Sequence, residues 1–332
     1  MKPRPSCRKR VARQLRGALA LAAALLAAPG FAAPIQVHDD VGNLLRLPQP
    51  ARRVVALSPQ LRELAAAAGA PLVASVRGAG GAPTLPRVGD AFALNLEAIA
   101  ALHPDLILAW HSGTPPRQRA ALRELGVPVF WAETTQLEQV AVDVRRIGRL
   151  SGHARRADAW AAAFDARLAA LRARYSGRAP VRVFYQVWPR PLMTVGGPQL
   201  IDRAIALCGG VNPFAALRQP APAISREAVL AANPQLIVDA SPDAHALDAW
   251  RRFGDVAAVR HGQLVRIDPD SLPRMGSRVL DGVAQLCQAI DVARRADATA
   301  NAARTPRALR SAQAGTHSAA PPSRGTRCQA QP

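Results

Sequence analysis

The chain reads as an α/β protein of two similar lobes joined by one long helix, on three observations. From Arg53 onward short apolar runs alternate with helical patterns, the mark of βα units laid into a mostly parallel sheet. The segment LEAIAALHPDLILAW, Leu96 to Trp110, returns as REAVLAANPQLIVDA, Arg226 to Ala240, every matched position offset by 130. Between the copies lies an alanine-rich, arginine-faced stretch, Ala154 to Tyr175, that at 1.5 Å per residue runs ~33 Å, about the width of a small domain.

The elements follow in order. Residues 1–32 carry a basic run without an acid, an apolar run from Ala18 to Ala28, then Pro29, Gly30 and small residues, which predicts an export signal cleaved near Ala32 and Ala33. The apolar run is shorter than the ~20 residues of a membrane-spanning helix. The first lobe, 33–152, contains RRVVALS as a buried strand ending at Ser58, PQLRELAAAAGA as a helix from Pro59 to a stop at Gly69, and PLVASV as a strand. The Gly/Pro-rich RGAGGAPTLPRVGDAF is a long loop of the kind that carries function. NLEAIAALH is a helix, PDLILAW a strand, PPRQRAALRELG a helix, VPVFWA a strand and LEQVAVDVRRIGRLSG a helix. The linking helix, 153–176, is bounded by Gly152 and Gly177.

The second lobe, 177–293, restarts the alternation. VRVFYQVW is a strand, PQLIDRAIALCGG a helix with a glycine stop, SREAVLAAN a helix, PQLIVDAS a strand, and GSRVLDGVAQLCQAIDVARR the closing helix. Residues 294–332 lack apolar periodicity and are predicted to form a disordered basic tail.

Composition narrows the function classes. The net charge of +20 draws seven basic residues from the signal and a further net six from the tail, leaving about +7 scattered over the body, so a nucleic-acid partner is not predicted. Of four cysteines, Cys7 lies in the signal and Cys328 in the tail. Cys208 and Cys287 lie in the body, and export to an oxidising compartment predicts that they pair.

No enzyme is predicted. Ser58 lacks a Gly-x-Ser-x-Gly turn, and the glycines at Gly78 to Gly81 and Gly196-Gly197 lack a phosphate-binding Lys-Ser/Thr. The seven histidines have no metal-ligand spacing, and only His111, directly after a strand end, is placed where it could meet a ligand. Aromatic residues make up only 4% of the chain, and three take suggestive places: Phe92 in the long loop, and Trp110 and Trp188 at strand ends. The carboxyl ends of parallel strands border the ligand crevice, so these side chains suit a large, partly apolar ligand. Glu97 and Glu227 head the two repeated helices. Each suits a helix dipole, and as a pair they suit a two-fold symmetric basic partner.

The export signal, the lobes, the long helix and the motifs VVALSP, GDAFALNLEAIAALHPDLILAW, QVWPRPLMTVGG, LCGG and ISREAVLAANP together resemble the periplasmic substrate-binding proteins of ABC importers for cobalamin and iron complexes. The likeness spans about Arg52 to Ala293, and LILAWHSG, QVWPRPLMTVGG and the cysteine pair point to the corrinoid-binding members. It implies Rossmann-like lobes with a ligand cleft between them, and a periplasmic monomer that carries a ligand rather than a cofactor. It further implies that Trp110 and Trp188 line the cleft, that Asp270 and Arg274 approach the ligand's polar edge, and that Glu97 and Glu227 dock on arginines of a transmembrane permease dimer. Cys208 and Cys287 match the family disulfide, and no protein ligand to the metal is implied. Where the family offers a tyrosine near Arg77 this chain has RGAGGAP, and the family tryptophans before SRE and NLE fall at Ala221 and Ala91. A haem or ferric-siderophore receptor on the same fold is the alternative, and a docking module without ligand a second one.

Overall fold

A computed structural model describes residues 33–76, 85–90, 93–197 and 199–314, with side chains to Thr299. The predicted export signal, Arg77, Phe92, Cys7 and Cys328 lie outside the described residues. A hairpin that the sequence patterns do not single out, β1 (Ile35–His38) with β2 (Leu44–Leu47), precedes the first lobe. Its turn is closed by the Asp39 carboxylate, which accepts from the Val41 and Asn43 amides at 3.1 and 2.7 Å.

The first lobe runs β3 (Val54–Ala56), α1 (Pro59–Ala68), β4 (Leu72–Ser75), α2 (Leu96–Ala101), β5 (Leu106–Trp110), α3 (Pro116–Glu124), β6 (Val129–Ala132) and α4 (Leu137–Leu150). Its four strands form one parallel sheet in the order β4-β3-β5-β6. The start and stop signals act as predicted at α1. The Ser58 hydroxyl accepts from the Leu61 amide at 3.2 Å, and Gly69, at φ 83°, returns its N–H to the Ala65 and Ala66 carbonyls.

The linking helix, α5, spans Ala154–Tyr175 as read from the sequence. Beyond it come β7 (Val181–Gln186), the short hairpin β8 (Trp188–Pro189) and β9 (Leu192–Met193), α6 (Leu200–Leu207), β10 (Gly210–Val211), α7 (Arg226–Ala232), β11 (Leu236–Asp239), α8 (Ala257–Arg260), β12 (Leu264–Arg266) and α9 (Val279–Ala314). The second parallel sheet, β10-β7-β11-β12, repeats the topology of the first. VRVFYQVW is therefore not one strand: β7 stops at Gln186, and Trp188 belongs to the hairpin. α9 continues through 294–314, where the sequence predicts a disordered tail. That expectation weighed the missing apolar periodicity and not the alanine content, which favours helix whatever the packing.

The two copies share a pattern of hydrogen bonds, although the arginines and the carbonyls they reach are each displaced by one position from the 130-residue offset. Arg53 Nε donates to the Leu102 carbonyl (2.8 Å) and its amide to the Asp105 carboxylate (2.9 Å). Arg182 Nε donates likewise to the Asn233 carbonyl (3.1 Å) and its amide to Gln235 Oε1 (2.8 Å). Each arginine thus closes a helix end and fixes the entry to the following strand, β5 or β11.

Strand residues alternate between two buried faces. Val54, Ala56, Leu106 and Leu108 of one sheet and Val183, Tyr185, Leu236 and Val238 of the other share a single inner core. α5 feeds that core with Ala157, Ala161, Phe164 and Leu168, spaced three and four apart on one stripe. The opposite sheet faces pack separate cores, with Val55, Ile107 and Ile99 in the first lobe and Phe184, Ile237 and Trp250 in the second. A Cys208–Cys287 disulfide ties the end of α6 to α9, as the sequence predicts, with Cα atoms 4.7 Å apart and 79 residues of separation. Closing a loop of that length stabilises by ~4 kcal/mol on chain entropy.

Candidate functional site

Because both sheets are parallel, their strand ends carry the loops that meet where the lobes face each other. The cavity there has an empty volume of about 790 Å³. The first lobe supplies Trp110, Ser112 and Glu133 to Thr135, and the second supplies Tyr185, Val187 and Ala240. Pro273 and Met275 come from the connection between β12 and α9. A second cavity of about 680 Å³ opens from the start of α1, with Leu57 to Gln60, and shares Trp110 and Pro273 with the first as a common wall.

Trp110 ends β5 and is 37% exposed, a large flat ring left uncovered at the cleft. Its place is built by the next turn. The Thr114 hydroxyl and amide both donate to its carbonyl, at 2.6 and 3.0 Å. A Cβ at Gly113 would sit 2.0 Å from the indole, so only glycine lets the turn pass so close beneath the ring. The glycine of LILAWHSG therefore has a packing reason.

The other expected ligand residues fall differently. Trp188 is 46% exposed on the β8–β9 hairpin and lines neither cavity, while its neighbour Val187 does. Trp188 lies beyond the end of β7 at Gln186, in the hairpin, where the sequence pattern reads one continuous strand. Arg274 borders the smaller cavity, with an ion pair to Glu63 Oε1 at 3.7 Å and a contact with Asp270. Asp270 lines neither cavity and borders instead a groove of about 1290 Å³ with Arg62, Glu63, Trp160 and Arg278. It reaches the cleft only through Arg274. His111 lines neither cavity; its Nδ1 lies 3.9 Å from Glu133 Oε2 and its ring stands edge-on to Trp131. Ala221, at the position of a family tryptophan, does line the larger cavity.

Several lining residues were not singled out from the sequence. Glu133, Thr134 and Thr135 directly follow β6, so the strand-end rule that selected Trp110 would have found them. The Glu133 carboxylate accepts from the Ser112 amide and hydroxyl, both at 2.8 Å. Met275 adopts φ 51°, left-handed backbone that a long side chain seldom takes, and lines the cavity from that turn. Tyr185 is 1% exposed and gives no signal in a strand of similar apolar residues.

Glu97 and Glu227 occupy the second position of α2 and α7, both exposed, behind the equivalent caps Asn95 and Ser225. The Asn95 side chain accepts from the Ala98 amide at 2.9 Å and the Ser225 hydroxyl from the Ala228 amide at 3.2 Å. Hydrogen bonds from its own backbone amide and from Ser225 hold the Glu227 carboxyl below its usual range, so it stays charged. Among the described residues no group of three or more His, Cys, Asp or Glu could hold a metal ion, and no helix is long and apolar enough to cross a membrane.

Comparisons with known proteins give a consistent picture. A family model described as periplasmic binding protein matches residues 55–271. The vitamin B12-binding protein of Yersinia pestis is 38% identical over 256 residues, covering 74% of this chain and 89% of that protein. The crystal structure of the periplasmic vitamin B12 binding protein BtuF of Vibrio cholerae superposes with a TM-score of 0.69 at 35% identity, over 74% of this chain and 98% of that one. The periplasmic heme-binding protein RhuT from Roseiflexus gives 0.63 at 26% identity, over 73% and 99%.

Proposed function

The chain belongs to the periplasmic binding protein family, and from that premise we propose that it is a non-catalytic receptor that captures cobalamin or a related corrinoid between its lobes and hands it to an ABC importer. The observation that carries this reading is the inter-lobe cleft. Trp110 stands exposed between two cavities whose walls are largely apolar, at parallel strand ends, in a chain with B12-binding relatives at 35–38% identity. A large ring gains most of its affinity from burying its apolar faces, and a few polar groups at the rim set its orientation. Residues 33–152 and 177–293 act as the jaws and 153–176 as the hinge-side strut. The basic, apolar leader of residues 1–32 serves as the cleaved signal that brings the chain to the periplasm. Glu97 and Glu227 supply the charges that meet the permease.

Titration of tryptophan fluorescence with cyanocobalamin tests the reading. Saturable quenching at micromolar ligand or below is expected, much reduced in Trp110→Ala. Absence of saturation in the wild type sinks it. Haem is the competing ligand, favoured by the likeness to RhuT; it predicts a Soret shift on mixing and no cyanocobalamin saturation.

A further inference from the structure

The smaller cavity has two unequal walls. Leu57 to Gln60, at the start of α1, line it from the first lobe together with Trp110, and only Pro273 and Arg274 line it from the second. Further along α1, Glu63 reaches across to that same second-lobe segment. Its Oε1 lies 3.7 Å from Arg274 Nε, and its Oε2 accepts from the Ser277 hydroxyl at 3.4 Å. The Ser277 amide donates to the same carboxylate.

The receiving turn is shaped for this contact. A Cβ at Gly276 would sit 2.2 Å from Glu63 Oε2 and 2.9 Å from its Cδ, so glycine lets the carboxylate lie directly against the backbone. The φ of Gly276 is outside the left-handed region, so the close approach and not the backbone conformation calls for glycine there. Burial raises the Glu63 pKa above the ordinary 4.5, and the groups that oppose this, Arg274, Ser277 and Arg278, all belong to the second lobe. Ser58 caps the helix that carries Glu63, so the first-lobe wall and the carboxylate move as one. The contact therefore ties the two walls of the cavity together.

The geometry points to Glu63 as the residue that sets the width of the cleft, and with it the thickness of ring ligand that the lobes accept. Glu63 is a positioning residue: it lines neither cavity and acts through Pro273 and Arg274, which do. This rests on the corrinoid reading. A corrin whose faces lie against the two lobes points its axial ligands from one lobe toward the other, so a fixed gap discriminates by the size of the axial group.

The test compares cyanocobalamin, with its small axial cyanide, and adenosylcobalamin, with a bulky axial group, by calorimetric titration of the full mature chain at pH 7 in dim light. Glu63→Ala should weaken cyanocobalamin by about tenfold and adenosylcobalamin by about threefold or less, so the ratio of the two affinities moves toward the bulkier ligand. Gly276→Ala, whose methyl takes the place of the carboxylate, should move the ratio the same way, and adding it to Glu63→Ala should move it no further. A merely structural role would lower the thermal midpoint and leave the ratio at its wild-type value. An unchanged ratio in Glu63→Ala overturns the inference and leaves the corrinoid reading standing. A wild type that binds neither cobalamin overturns both. If Glu63→Ala does not fold, Glu63→Gln, which keeps an oxygen for Ser277 and loses the charge facing Arg274, decides by the same ratio.

Discussion

At positions 103 and 233 the two copies of the repeat end their helices on the same backbone, with φ of 42° and 43°, but with different residues. Left-handed backbone costs a residue with a Cβ ~1–2 kcal/mol, and asparagine is among those that tolerate it best. Asn233 has a further role, since its Oδ1 accepts from the Ala257 amide at 2.9 Å and so ties α7 to α8. The His103 side chain makes no such bond among the described residues. Opposite outcomes are therefore expected at equivalent sites. His103→Gly should be neutral or stabilising by up to ~1 kcal/mol, after the entropy glycine costs the folded chain. Asn233→Ala should destabilise by ~1–2 kcal/mol through strain plus a lost hydrogen bond. Urea unfolding of the two variants beside wild type measures both, and a matching loss at the two sites would contradict the argument.

α4 carries the acid with the clearest electrostatic cost. Asp143 is fully buried, and burial first, then the Asp40 carboxylate at the β1–β2 turn, raise its pKa well above the ordinary 3.8. Arg146 bridges the two acids, and the Thr134 hydroxyl donates to Asp143 at 3.3 Å, so the helix, the hairpin and the cleft wall meet at one group. With a folded pKa above the unfolded one, the native state holds the extra proton. Stability is undiminished below the unfolded value and falls as pH rises through the folded value. The denaturation midpoint of wild type should thus decline from pH 4 toward neutrality more steeply than that of Asp143→Asn. Parallel pH profiles for the two would remove Asp143 as the cause. The element scale also holds the most legible features. The start of α1 at Pro59, its stop at Gly69 and the bounds of α5 depend on neighbours a few residues away, and sequence patterns recover them. The end of β7 depends on where β11 stops pairing, at Asp239 against Gln186, and so the sequence pattern puts Trp188 on the wrong element.

For the whole molecule, the long helix and the shared inner core make the lobes one body with limited hinge freedom, since a packed helix bends less readily than crossing loops. On the proposed reading, ligand capture is a local event between the lobes, and docking through Glu97 and Glu227 is a separate one on α2 and α7. Combining Glu97→Arg with Glu227→Arg should abolish corrinoid delivery in an uptake assay while leaving cyanocobalamin affinity within about twofold of wild type, because neither acid touches the cleft. Normal uptake by the double variant would remove both acids from the docking role.

From its sequence alone this protein is determined to have parallel α/β lobes, a helix-strand segment repeated at an offset of 130, a single linking helix, a disulfide and one cleft aromatic, Trp110. Each of these is written in local periodicity, capping or composition. The tertiary structure decided which strand ends share a cavity, that Trp188 and Asp270 do not line it, and that Tyr185 stands in its wall with a buried hydroxyl that no described residue partners. The reason is physical: a cavity wall is set by which distant loops two lobes bring together, and an unsatisfied hydroxyl is defined by every neighbour that fails to reach it. Neither property belongs to any short stretch of chain.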